Sequence, residues 1–275
     1  MQIKIGFIQG RLLESEKKGA IQFFPSRNWK KEIIIAKKNK FHLMEWTVNL
    51  ENINKNPIYN SKLLNQLIKF KKKNKININS VTCDFFMQKP FFKLKEKEKF
   101  LNLEILKKVI VYGQKIGIRQ FVIPLLDNSS ITTSQQEQEL VFEFNKNIFL
   151  NLLNKNTKIL FEIDYPPKNV LKFIKRFNLN KFGINYDTGN SASLGYSIND
   201  EKIYFRHVKN VHIKDRLKNG QSVRLGYGDW DYFSFFNFLK KIKYKHNLIL
   251  QTARSKNGNH VEEINYSRKF VLNLL

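Results

Sequence analysis

Four polar side chains close four successive apolar runs in the second half of this 275-residue chain. Glu162 lies in Ile159-Leu160-Phe161-Glu162-Ile163, and Asp187 ends Ile184-Asn185-Tyr186-Asp187. His212 lies in Val211-His212-Ile213-Lys214-Asp215, and Gln251 follows Leu248-Ile249-Leu250. A carboxylate in an apolar run costs on the order of several kcal/mol unless it is paired or bound to a metal. Two carboxylates, an imidazole and an amide oxygen form an N/O donor set with no thiolate. That set suits one divalent metal ion: Mn²⁺, Mg²⁺, Co²⁺ or Zn²⁺. Taken singly, Asp187 can cap a turn, His212 can be a satisfied core histidine, and Glu162 can pair with Lys214. One such residue on each of four neighbouring strands points instead to a shared ion.

The elements that must position these groups alternate. Short β-branched runs are expected as strands at Gln2–Gln9, Phe41–Trp46, Ile76–Asp84, Arg119–Pro124, Lys158–Ile163, Phe182–Asp187, Val208–Lys214 and Asn247–Thr252. An amphipathic helical stretch follows each, the sixth a short one near Asn199–Phe205. Strand-then-helix repeats build a parallel sheet with helices outside. Eight such units fit a single (β/α)₈ TIM barrel spanning residues 1–275, whereas a doubly wound sheet usually has five or six strands. Chemistry then belongs at the C-terminal strand ends. Ser26 is expected to cap the first helix, and Asp229 or Asp231 the seventh. The stripe Tyr232, Phe233, Phe235, Phe236, Leu239 has helical spacing and reads as core. Gly113 and Gly117 are expected around the turn into the fourth strand. The long stretch Gly10–Pro25 is a candidate lid.

Composition narrows the class. The formal net charge is +26, but only nine of the 49 basic residues are Arg. Nucleic-acid sites favour Arg for bidentate contacts, and these lysines are strewn along helices, as in Lys71-Lys72-Lys73. A solvated, Lys-rich surface is expected, and no nucleic-acid partner. The single cysteine, Cys83, allows no internal disulfide and fits a reducing compartment. No apolar run reaches the ~20 residues of a membrane helix. No membrane partner and a cytoplasmic location are the expectations.

The segments Phe161-Glu162, Asp187-Thr188-Gly189-Asn190, Val211-His212-Ile213-Lys214-Asp215 and Gly226-Tyr227-Gly228 resemble the sugar isomerase/epimerase group of the xylose isomerase-like TIM barrels. Gly6 to Arg11 and Met44-Glu45-Trp46 are similar to that family's first two strands. The resemblance implies one divalent ion held by Glu162, Asp187, His212 and the fourth position, Gln251. It also implies proton transfer beside a carbonyl of a sugar or sugar phosphate. The family has a second Glu where this chain has Gln251, and the two serve as paired acid/base groups. An amide oxygen can ligate, but it takes up no proton. The catalytic residues expected here are Glu162, moving the proton, and Lys214, stabilising the oxyanion or orienting Glu162.

Substrate contacts are expected from Arg11, Arg216, Arg224 and Arg254 on the C-terminal loops, from Asp215 just past the seventh strand, and from Glu45 and Asp84 at the ends of the second and third strands. Arginine suits carboxylate and phosphate. Trp29 and Trp46 read as core, with stacking on a sugar face as the alternative. Three rival functions share the barrel. A dehydratase of a polyol ketone would use the same chemistry. A non-catalytic sugar- or metal-binding barrel would fit Gln251. An endonuclease IV-like phosphodiesterase would need several histidines, and of the five present only His212 ends an expected strand.

Overall fold

The computed structural model describes residues 3–15 and 22–275. Eight parallel strands close into a barrel: Ile5–Ile8, Leu43–Thr47, Asn77–Thr82, Gln120–Leu125, Lys158–Ile163, Phe182–Asp187, Val208–Ile213 and Asn247–Leu250. Each strand pairs with its sequence neighbours, and the first pairs with the eighth to complete the ring. Helices pack outside, from Trp29–Lys38 to His260–Leu274. The large aromatic core, including Phe121, Phe144, Phe161 and Phe182, fills the space between sheet and helices. A second, separate apolar cluster is small: Ile8, Leu43 and Ile249. The barrel also buries Glu45, Asn185, Asn210 and His212, so its interior is polar where the site sits.

Several boundaries differ from expectation. The seventh and eighth strands stop at Ile213 and Leu250, which leaves Lys214 and Gln251 just past the sheet. Asp215–Arg216 then forms a two-stranded antiparallel ribbon with Ser222–Val223. The helix after the sixth strand is Thr188–Leu194, earlier than the short helix expected near Asn199–Phe205, because Asp187 caps it directly. The later segment makes one turn, Ile198–Glu201, and a 3₁₀ stretch, Lys202–His207. Asn28 rather than Ser26 precedes the first helix. Asp231 accepts the Ser234 amide at 2.9 Å and caps helix Tyr232–Lys241. Gly113 lies inside helix Glu96–Ile116 against the Phe121 ring, and Gly117 alone makes the turn. Trp29, Trp46 and Cys83 are buried in the core. The candidate lid falls partly on residues 16–21, outside the described residues.

Candidate active site

Sheet register carries the site. Asp187 stands opposite His212, and Ile249 opposite His212 on the other side. Glu162 pairs with Pro124 one strand further round. All three polar residues are at most 7 % exposed. One ligand atom from each of Glu162, Asp187 and His212 lies within 4.8 Å of the others. His212 Nδ1 is 3.1 Å from Glu162 Oε2 and 4.0 Å from Asp187 Oδ2. Neighbouring ligands on a divalent ion, each about 2.1 Å from it, stand roughly 3–4 Å apart. The two distances from His212 fall in that range, so the three donors could hold one ion.

The other ring nitrogen is already used. His212 Nε2 lies 2.7 Å from Glu45 Oε1, and Asn210 Nδ2 donates to Glu45 Oε2 at 2.9 Å. A carboxylate on the far nitrogen of a histidine fixes its orientation and leaves the near nitrogen for a ligand. Glu45 was expected to contact substrate; it is fully buried behind the ring. Asn210 also donates to Asn185 Oδ1 at 2.7 Å. Asn185 in turn donates to Glu162 Oε2 at 2.8 Å, and Asn190 donates to Glu162 Oε1 at 2.9 Å. Burial works against Glu162's charge, but His212 and then Lys214 outweigh it and hold its pKa below the ordinary value.

Asp187 divides its oxygens. Oδ1 accepts the Asn190 amide at 2.9 Å and caps the short helix, while Oδ2 faces Lys214 Nζ at 3.4 Å. The turn-capping and site-forming readings of Asp187 thus hold together. Lys214 Nζ also reaches Asn190 Oδ1 at 3.3 Å. Its backbone is braced: Lys214 N–H donates to Thr188 Oγ1 at 2.9 Å, and the Tyr232 hydroxyl donates to its carbonyl at 2.9 Å. Gly189 lies against the lysine stem; a Cβ there would sit 2.6 Å from Lys214 Cγ. The Lys214 ion pair is with Asp187, not with Glu162.

A cavity of about 250 Å³ opens at the C-terminal ends of the strands. Glu162, Lys214, Gln251, Asp84 and Arg11 line it, with Gln22 and Asn49. Gln251 Nε2 donates to Gln22 Oε1 at 3.2 Å, while Gln251 Oε1 is buried without a hydrogen-bond partner. A buried acceptor left unsatisfied costs roughly 1–3 kcal/mol, so this oxygen is suited to an ion or a substrate hydroxyl. Asp84 accepts from Thr82 Oγ1 at 2.9 Å. Burial pushes its pKa up to about 6, and the charges of Glu162 and Glu45 add to that rise. Burial and then Arg254 draw Arg11 down to about 9, so it remains a cation at neutral pH.

Four residues expected to touch substrate are committed elsewhere. Asp215 is fully buried and accepts the amides of Gly226 and Gly228 at 2.9 and 3.0 Å. A Cβ on Gly228 would stand 2.2 Å from Asp215 Oδ1, which explains the glycine turn. Arg216 donates twice to the Gly220 carbonyl and closes the ribbon. Arg224 pairs with Glu263 at 3.2 Å and stacks on Tyr266, on the last helix. Arg254 donates to the carbonyls of Gly10 and Leu13 and fastens the first loop. The loops bring side chains to the rim, but backbone carbonyls and turns claim most of their donors and acceptors first.

Comparison with known proteins identifies the family and the fold. A family model described as xylose isomerase-like TIM barrel matches residues 33–271. A Haemophilus influenzae protein, SgbU, named as an L-ribulose-5-phosphate 3-epimerase, is 24% identical over 213 residues, covering 72% of this chain and 73% of that one. The solved D-allulose 3-epimerase from Methylomonas sp. in complex with D-allulose superposes with a TM-score of 0.74 at 13% identity, covering 99% of this chain and 97% of that one. The IOLI protein, solved with a zinc atom, gives a TM-score of 0.75 at 16% identity, covering 99% of this chain and 98% of that one.

Proposed function

The chain belongs to the xylose isomerase-like TIM barrel family, and from that premise we propose that it moves a proton beside the carbonyl of a sugar or sugar phosphate, as an isomerase or epimerase. The observation that carries this reading is the convergence of Glu162, Asp187 and His212 at the mouth, with Lys214 beside them. A divalent ion held by those three donors, with Gln251 as fourth ligand, would polarise the oxygens of the substrate. Mn²⁺, Mg²⁺, Co²⁺ and Zn²⁺ all suit this donor set.

The chain's own groups then divide the work. Glu162 takes the proton from the carbon beside the carbonyl and returns it. Lys214 faces the same cavity as a fixed cation and offsets the negative charge that develops on oxygen. Glu45 holds the His212 ring, and Asn185 and Asn190 hold Glu162. Gln251, as a ligand through its amide oxygen, takes no proton. A single base can move a proton between adjacent carbons on one face of an enediolate, which completes an isomerisation. Inverting one carbon requires a second donor on the opposite face.

Asp84 favours a second reading, epimerisation with two proton carriers. It lines the same cavity as Glu162, and its pKa near 6 lets it hold or release a proton near neutral pH. The test is solvent exchange. Candidate ketoses and their phosphates are incubated with the protein and Mn²⁺ in D₂O, and deuterium is sought at the carbon beside the carbonyl. Exchange that disappears in Glu162→Gln supports the proposal; no exchange across a broad panel overturns it. Under the second reading, Asp84→Asn abolishes inversion but leaves exchange by Glu162.

A further inference from the structure

The opposite end of the barrel carries a second cavity, of about 300 Å³, at the N-terminal ends of the strands. Lys4, Arg119, Lys158, Lys209, Lys245 and His246 line it, and no carboxylate does. Each comes from the start of a strand: Lys4 just before the first, Arg119 before the fourth, Lys158 opening the fifth, Lys209 in the seventh, Lys245 before the eighth. Among the described residues none of these five cations has an ion-pair partner. Like charges gathered in one concavity repel one another and focus a positive potential.

The ammonium groups are held, not neutralised. Lys158 donates to the carbonyls of Leu179 and Asn180 at 2.8 and 2.7 Å, and Lys209 donates to the Arg206 carbonyl at 2.9 Å. Neutral carbonyls fix the positions of these charges without cancelling them. The cavity floor is a lattice of amides: Gln120 donates to the Lys209 carbonyl at 2.7 Å, and Asn247 donates to Asn79 at 3.2 Å. Burial, then the charges of Lys209 and Lys181, lowers the pKa of Lys158. His246 is lowered by burial and then by Lys209 and Lys158. Every charged neighbour acting on either group is a cation.

We propose that this floor of the barrel binds a small phosphate-bearing anion, gripped by Arg119, Lys158, Lys209 and Lys245. The volume lies at the small end of ligand cavities. Arg119 supplies a planar fork for two phosphate oxygens, and the lysines supply point charges around it. The stretched, Lys-rich surface seen in the composition thus has one place where its charge is concentrated and organised.

Inorganic pyrophosphate is the probe, titrated calorimetrically into the full, metal-free chain at low ionic strength. Saturable binding with one site per chain is expected, weakening as NaCl is raised. Arg119→Gln with Lys245→Gln should weaken it by about tenfold for each cation removed. Both residues are exposed, so the fold should survive; if the double variant does not fold, Lys245→Gln alone must still weaken binding. Lys214→Met at the mouth should leave binding unchanged. Absence of saturable binding overturns the proposal. So does binding that survives the floor substitutions, or that is lost in Lys214→Met.

Discussion

The two ends of one barrel treat charge in opposite ways. At the mouth, Glu45, Glu162 and Asp187 interlock with His212, Lys214 and a set of asparagine amides. At the floor, among the described residues, the cations have no ion-pair partner, and Lys158 and Lys209 donate to backbone carbonyls. Both sets rise from the same eight strands, so the sheet itself does not dictate the sign. The mouth mixes signs at close range, which couples its groups and gathers donors that could hold an ion. The floor accumulates one sign, which makes a field. A net charge of +26 reveals neither arrangement, because most of it is scattered over helices.

Substitutions at the mouth should break this contrast most severely. Glu162→Gln removes the proton carrier and should cut solvent exchange by roughly 10²–10⁴-fold. Circular dichroism should show an intact fold, since the amide keeps the side chain's shape and still offers one of Asn185 and Asn190 an oxygen to bond. Glu45→Gln tests the ring-holding role. Metal affinity, measured by competition with a chelator dye, should fall by about 10–100-fold while secondary structure is unchanged.

Smaller effects sharpen the comparison. Glu201 is buried and accepts from Tyr186, Ser191 and Tyr204, outside the ion cradle. Burial raises its pKa from 4.5 to about 7. A carboxyl with a raised folded pKa stabilises fully below its unfolded pKa, and that contribution is lost as pH climbs through the folded value. Relative to Glu201→Gln, the native chain should therefore lose about 3 kcal/mol between roughly pH 4 and pH 8. Denaturant melts of both chains check this, and parallel profiles would sink it. At the floor, Lys209→Gln should raise stability by a few tenths of a kcal/mol at low salt, an advantage that vanishes in about 0.5 M NaCl.

Much of the barrel was legible because strand and helix periods differ and alternate eight times. The clustering of Glu162, Asp187 and His212 was legible because carboxylates and histidine stand out at the ends of apolar runs. Direction was not legible. Arg216, Arg224 and Arg254 were placed on the correct loops, but a long side chain goes to whichever carbonyl, carboxylate or ring the tertiary fold brings near. Gly10, Leu13, Gly220, Glu263 and Tyr266 are those partners. Asn185 and Asn210, which bond Glu162 and Glu45, carried a weaker signal. With a period of two, Asn185 shares a face with Asp187, and Asn210 with His212. The floor cavity escaped because single lysines at strand starts, far apart in sequence, look like ordinary surface charge until the ring closes.

The missing side chain at Gly189 has a consequence of its own. Only a hydrogen separates that backbone from the lysine stem. One methyl added there would act as a wedge, levering the ammonium away from Asp187 without altering a charged group. The reach of the cation across the mouth is thus set by an atom that is not there.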